Sequence, residues 1–301
     1  MNPHLPLPVL LLSLLLLCCA PPAAADDFLS EFQRLQAEGD RQAFEHFLDR
    51  SGTTHDDNPD YYATAGNYWW QLSRSLGARS GIGGGFDPGL NQPGGADEMA
   101  AAAGQAQETL AKKAVSILEM GASRFPRRAD LGLGLAHVQQ ETGRGEECVA
   151  TLLALLGEAK RNPSDLRWKE GAQLPGPVGS FLPEALQTFT AAFYRGSSPQ
   201  DKALCAKLGR AIVATFPQHP YAYTILAALA SSQGDHAGAL KLLESAAKSA
   251  PGDGLTLLNL AGAYRKSGQP TKAAATYRKI LALDVEAAIK RQAQAGLKAL
   301  E

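Results

Sequence analysis

A repeat of 34 residues in the C-terminal third constrains the fold of this chain more than any other feature. Large, small and glycine residues occur in one copy in an order that the next copy repeats. Periods of this length are typical of helical hairpins that stack into a solenoid. The matching positions are Tyr223, Leu226, Ala227, Ala230, Gly234, Ala239, Leu243, Ala246 and Pro251, followed by Leu257, Leu260, Ala261, Tyr264, Gly268, Ala273, Tyr277, Ile280 and Val285.

Small residues in the repeat indicate where helices approach one another closely. Within a hairpin the crossing positions are Ala227 and Ala261, and between neighbouring hairpins they are Ala239 and Ala273. A larger side chain at these positions would push the helix axes apart. A glycine follows the first helix of each copy, at Gly234 and Gly268, because glycine adopts a positive φ at little cost.

The same register continues towards the N-terminus with decreasing fidelity. It predicts an all-α solenoid of about six helical hairpins, with Ile289, Ala293, Leu297 and Leu300 on one face of a C-terminal capping helix. Ala43 and Phe47 lie in a weak first hairpin. The predicted segments are divergent helical repeats at 26–160 with a glycine- and proline-rich inserted loop at about 76–95, a linker at 161–181, and repeats with the capping helix at 182–301.

Three stretches make the chain similar to a known family. Large, leucine, small and aromatic positions, followed by alanine, aromatic and proline, match the tetratricopeptide pattern. The chain resembles a family of exported bacterial tetratricopeptide proteins. This resemblance implies a scaffold fold, an envelope location and no catalytic residues. The stretches are SRFPRRADLGLGLAHVQQETG at 123–143, TLLNLAGAYRKSGQPTKAAATYRKIL at 256–281 and the aromatic helix DYYATAGNYWW at 60–70.

The N-terminus reads as a targeting segment. The run VLLLSLLLLCCA at 9–20 has the length of a signal-peptide core and is too short to cross a bilayer. Ala23 and Ala25 supply the small residues that a signal peptidase accepts, so cleavage is expected after Ala25 and residues 1–25 form the signal peptide. The alternative is a lipoprotein modified at Cys18 or Cys19, which would also place the chain at a membrane.

Composition excludes several classes of function. A formal net charge of −1 indicates neither a nucleic-acid partner nor an anionic surface.

The glycine run at 81–86 lacks the Lys and Ser or Thr that complete a phosphate loop. The histidines have no zinc spacing, and no nucleophile has a nearby base, so neither an enzyme nor a cofactor is expected. Cys148 and Cys205 are expected as buried thiols, with a disulfide between them as the alternative.

Two polar and aromatic clusters have a structural and a functional interpretation. The acids that follow His55 could hold a cation weakly, but they are expected to cap a helix that starts at Tyr61 after a break at Pro59. Adjacent residues of a helix point to different faces. Of Trp69 and Trp70, one is therefore expected in the core, and the other could contact a ligand or partner.

Candidate binding residues follow from the resemblance. In tetratricopeptide arrays the first helix of each hairpin lines the concave surface, where extended peptides bind. The resemblance implies that Asn259 reaches a ligand backbone, with Arg265 and Lys266 near a carboxylate, and Tyr221 and Thr224 on the preceding repeat. The expected function is a scaffold for a protein or peptide partner, with a permanent subunit of an envelope assembly, or a sugar binder using residues 61–70, as alternatives.

Overall fold

The computed structural model describes residues 27–81 and 95–300, and these residues form α-helices joined by short connections. The predicted signal peptide and residues 82–94 of the predicted insertion lie outside the described residues. The helices are α1 Asp27–Glu38, α2 Arg41–Thr54, α3 Pro59–Gly81, α4 Gly95–Arg124, α5 Ala129–Glu141, α6 Gly145–Arg161, α7 Val178–Arg195, α8 Pro199–Thr215, α9 Pro220–Ser232, α10 His236–Ser249, α11 Gly254–Lys266, α12 Pro270–Ala282 and α13 Ala287–Lys298.

The chain divides into two compact units, and the first ends at His55. It contains the hairpin of α1 and α2, which is held together by phenylalanines. The rings of Phe28 and Phe47 stack with centroids 5.5 Å apart, and those of Phe32 and Phe44 lie 5.0 Å apart. The weak first hairpin predicted around Phe47 is therefore present, although its core is aromatic and has no pair of small residues at a helix crossing.

The second unit, from Asp56 onwards, contains the hairpins α3–α4, α5–α6, α7–α8, α9–α10 and α11–α12, followed by α13. The small residues of the predicted repeat lie in the core and at helix ends of this unit. All four predicted crossing alanines are buried: Ala227, Ala239, Ala261 and Ala273. Gly234 and Gly268 have φ values of +83° and +68° and terminate α9 and α11, whereas Pro251 is exposed in the turn after α10.

Apolar residues of the second unit form continuous clusters from one hairpin to the next. One cluster joins α5, α6, α7, α8 and α9 and includes Cys148 and Cys205, which are fully buried free thiols. Burial raises the pKa of Cys148 to about 12 because the thiolate is poorly solvated there. A second cluster joins α9 to α13, and Ala293 and Leu297 of α13 close it as predicted for a capping helix.

Helix α3 is longer than predicted and continues to Gly81. The residues 76–81 were expected to belong to the inserted loop. They contain good helix formers such as Leu76 and Ala78, and the glycine run itself begins only at Gly81. One isolated glycine does not stop a helix that packs along a partner, here the long helix α4.

The start of α3 also corrects the sequence interpretation. Pro59 is the first residue of the helix, a position at which the missing N–H is not needed. Asn58 caps it, since the backbone N–H of Asp60 donates to Asn58 Oδ1 at 2.9 Å. The nearby acids pair with arginines instead: Asp56 with Arg124 at 2.8 Å, and Asp60 with Arg128 at 2.5 Å.

The predicted linker at 161–181 is a packed segment, and α7 begins within it at Val178. The backbone of Arg167 donates to Arg127 O at 2.8 Å and accepts from Ala129 N–H at 2.9 Å. Leu166 is buried, and Trp168 makes an edge-on contact with Phe181 at 5.2 Å. These anchors fix the segment against the start of α5. The proline and glycine content of the segment predicted a linker and did not indicate this packing.

Candidate functional site

A groove of about 270 Å³ lies between α9, α10 and α11. Its floor is made mainly of small residues, with Leu243 and Leu258 beside them, because the repeat places alanine and glycine where these helices approach each other. Ala228 and Gly262 are the partly exposed members of this floor, next to the buried Ala227 and Ala239. A Cβ added at Gly262 would contact nothing within 4 Å, so the groove is open above this residue.

Polar side chains from α9, from the start of α10 and from α11 with its C-terminal end surround this floor. The polar lining residues are Thr224, Ser231, His236, Asn259, Lys266 and Ser267, and no carboxylate lines the groove. Asn259 and Lys266 are exposed. Among the described residues no partner hydrogen-bonds the amide of Asn259, and no carboxylate pairs with Lys266. The rim therefore offers an unused amide and an unused cation.

A second set of contacts fixes the helices that form the groove. The hydroxyl of Tyr264 on α11 donates to Glu244 Oε1 on α10 at 2.9 Å. Burial and this acceptor raise the pKa of Tyr264 to about 12, so the phenol stays protonated and keeps donating. The ammonium of Lys272 on α12 lies 5.3 Å from the centre of the same ring. The hydrogen bond therefore stabilises the position of α10 against α11.

Three of the six predicted binding residues meet in this groove, namely Thr224, Asn259 and Lys266. Arg265 is exposed but does not line the groove. Tyr221 is committed to packing, because its hydroxyl donates to Gln187 O at 3.2 Å and accepts from Thr190 Oγ1 at 3.2 Å. Burial accordingly raises the pKa of Tyr221.

The groove also contains residues that the sequence interpretation missed. Ser231, His236 and Ser267 were not selected, and helical spacing in the sequence contained the information for Ser231 alone. Each helix contributes one face with the spacing i, i+3, i+4 and i+7. These faces are Thr224, Ala227, Ala228 and Ser231 on α9, and Asn259, Gly262, Ala263 and Lys266 on α11.

The aromatic helix α3 does not present a free binding platform. Trp69 is 4% exposed and Trp70 is 8% exposed, so both lie in the core and neither ring is open to a ligand or partner. Trp70 makes an edge-on contact with His137 of α5 at 6.3 Å, and the ammonium of Lys113 on α4 lies 3.6 Å from the ring centre of Trp69. Although these adjacent tryptophans point in different directions, α4 contributes a contact to Trp69 and α5 contributes one to Trp70.

The described part of the chain also contains an open pocket of about 580 Å³ lined by Tyr62, Glu119, Met120, Ser123 and Arg124. No group of three or more His, Cys, Asp or Glu residues there could hold a metal ion. The exposed large hydrophobic residues in those ranges are Met120 and Leu255, which lie in different helices. Within the same ranges no helix combines the length and the hydropathy needed to span a bilayer.

Residues 230–297 match a protein-family model described as the tetratricopeptide repeat. This segment is a tetratricopeptide repeat. It covers most of the groove, since α10, α11 and the end of α9 fall within it. No curated protein matches the sequence.

Solved structures, among them tetratricopeptide repeat proteins, are similar at low identity. TTC0263 of Thermus thermophilus is 14% identical over 67% of this chain and 95% of its own, with a TM-score of 0.37. The peptide-binding tetratricopeptide protein YrrB is 12% identical over 66% and 88%, with a TM-score of 0.36. Acl4, an assembly chaperone of RpL4, is 13% identical over 91% and 95%, with a TM-score of 0.43.

Proposed function

We propose that this chain is an exported scaffold that binds an extended segment of a partner protein in the groove between α9, α10 and α11. The observation that carries the proposal is the unpaired polar rim above a floor of small residues. Asn259 can donate to and accept from a peptide backbone through its one amide group. Lys266 supplies a positive charge for an acidic side chain or a chain terminus.

The small floor supports an extended ligand in particular. Ala228 and Gly262 project little or nothing into the groove, so a backbone or an apolar side chain can approach the helices closely. The groove volume of about 270 Å³ is below the range typical of small-molecule pockets, about 300–1,000 Å³. A segment that inserts one or two side chains suits this size better than a whole cofactor does.

Export is supported by the composition of the N-terminus. The apolar run at 9–20 is followed by the small residues Ala23 and Ala25, as in a cleaved signal peptide. On this proposal the partner is encountered in the cell envelope or outside the cell. A lipid anchor at Cys18 or Cys19 is the alternative way in which the protein would be retained there.

Site-specific photocrosslinking tests the groove and identifies its occupant. A photoreactive amino acid at Asn259 is expected to capture a partner protein from the envelope, because this side chain is exposed at the rim. The same amino acid at Ala275, which is exposed on α12 outside the groove, is the matched control. Capture of the same proteins from both positions would contradict the proposal.

Affinity for a captured partner then tests the roles of the individual residues. Gly262→Leu fills the groove from its floor and should abolish binding, whereas Ala275→Leu places a leucine side chain outside the groove and should not. Asn259→Ala removes hydrogen bonds and should weaken binding about two- to tenfold at all salt concentrations. Lys266→Ala should weaken it mainly at low salt. Unchanged affinity of folded Gly262→Leu would exclude the groove.

A further inference from the structure

The C-terminal end of the chain is much more basic than the rest. The whole chain has 29 Lys and Arg against 30 Asp and Glu, but residues 267–301 have six against three, Asp284, Glu286 and Glu301. We call these six residues the cationic end, and all except the half-buried Lys290 are exposed. They are Lys272, Arg278, Lys279, Lys290, Arg291 and Lys298.

Several exposed cations elsewhere in the described residues form ion pairs, whereas those of the cationic end do not. In the first unit Arg34 pairs with Glu31 at 2.6 Å, and Arg41 pairs with Glu45 at 2.7 Å. No member of the cationic end pairs with a carboxylate within the described ranges. Only Lys272 has a described contact, with the ring of Tyr264. Within the described residues, the six cations at this end are therefore not paired with carboxylates.

The surrounding residues favour one class of anion over two others. Single-stranded nucleic acid binds through exposed aromatic platforms. The aromatic residues in 254–300 are Tyr264 and Tyr277, and both are buried. A helix that binds a bilayer interface inserts its apolar face. In α13 that face already packs into the core through Ile289 and Ala293. An acidic polypeptide requires neither feature.

The position of the groove supports the same class of partner. Lys266 lines the groove at the end of α11, next to the exposed Arg265, and α12 begins at Pro270 with Lys272 in its first turn. A chain that leaves the groove past the end of α11 therefore meets further cations. No acidic residue lies between Lys266 and Asp284 in the sequence.

We propose that the cationic end binds an acidic polypeptide segment of the same partner whose neighbouring segment occupies the groove. The attraction to the cationic end stands on the unpaired charges alone. The continuity between the two segments rests on the proposed function of the groove.

A fluorescein-labelled oligo-glutamate peptide is the probe that tests this inference. The full mature chain should bind it at low ionic strength and lose affinity as salt is added, because exposed charges are screened. The variant Lys290→Gln/Arg291→Gln/Lys298→Gln should bind about tenfold more weakly at low salt. A second variant, Lys272→Gln/Lys279→Gln, should also weaken binding, and it provides the test if the first variant does not fold.

The matched control removes an equal number of exposed cations that already have partners. Arg34→Gln/Arg41→Gln/Lys112→Gln lowers the net charge equally, and it should leave oligo-glutamate affinity unchanged. Gly262→Leu should also bind oligo-glutamate normally, so failure of the groove proposal is separable from failure of this one. Absence of binding, equal weakening in the control, or binding to phosphatidylserine vesicles without binding to oligo-glutamate would overturn the inference.

Discussion

Arg128 is a buried cation that joins three parts of the second unit. Its side chain is 6% exposed and lies at the N-terminal end of α5. It donates to both carboxylate oxygens of Asp130, at 2.9 and 2.8 Å, and to Asp60 of α3 at 2.5 Å. Asp60 Oδ1 also accepts the N–H of Glu170, in the packed segment before α7, at 3.0 Å. Burial opposes the charge of Arg128, and the two carboxylates outweigh it and raise its pKa.

Loss of Arg128 is therefore expected to destabilise the second unit strongly. Arg128→Ala leaves Asp130 and Asp60 without their cation, and breaking a buried ion pair typically costs about 3–5 kcal/mol. Its neighbour Arg127 pairs with Asp165 at 3.2 Å but is half exposed, so Arg127→Ala should cost at most about 1 kcal/mol. Urea unfolding of both variants measures this contrast, and similar midpoints would refute the structural role of Arg128.

A second prediction concerns the small residues at hairpin contacts. Ala273 has no exposed surface and lies in the cluster that joins α9 to α13, so Ala273→Leu should cost about 1–3 kcal/mol through overpacking. Ala275 lies two positions further on the same helix and is exposed. Ala275→Leu should leave thermal unfolding, followed by circular dichroism, nearly unchanged. If both leucine variants melt together, the repeat register is wrong.

Helix ends are predictable from sequence where one residue type has a distinct backbone preference. Gly268 was expected at the end of α11 because of its permitted positive φ, and the structure confirms it. Pro59 was misread because proline is compatible both with a break before a helix and with its first turn. The packed segment at 161–181 could not be predicted, since its anchors to Arg127 and Ala129 are long-range backbone contacts.

Two glycines in helical hairpins should respond to alanine in opposite directions. Gly268 has a φ of +68°, so Gly268→Ala should cost about 1–2 kcal/mol. Gly104 is exposed inside α4, and an added Cβ would contact nothing within 4 Å. Gly104→Ala should therefore stabilise the protein by about 0.5–1 kcal/mol. Differential unfolding of the two variants measures both signs, and a stabilised Gly268→Ala would contradict the cap assignment.

At the scale of the whole molecule, the candidate site could be predicted only in part. The resemblance selected Asn259, Lys266 and Thr224, which the structure brings together. It did not select His236, because this residue reaches the groove from α10, the second helix of a hairpin. Trp70 was selected for its residue type, and its burial depends on the placement of α5. Packing between hairpins therefore determines both the position of His236 in the groove and the burial of Trp70.

Export predicts a defined mature chain. Cleavage after Ala25 would leave Asp26 as the first residue, and no lipid would be attached, because both candidate cysteines lie in the removed segment. The intact mass of the secreted or periplasmic protein checks this prediction. A species that begins at Cys18 or Cys19 and carries the added mass of acyl chains would establish the lipoprotein alternative.

The two walls of the groove belong to different hairpins, so a change in the angle between these hairpins changes the groove. Thr224 and Ala228 move with α9, and Asn259 and Gly262 move with α11. The width of the groove is therefore set by the angle at which successive hairpins stack. An occupant would stiffen this joint, and tension that opens the joint would in turn expel the occupant, because such coupling is reciprocal.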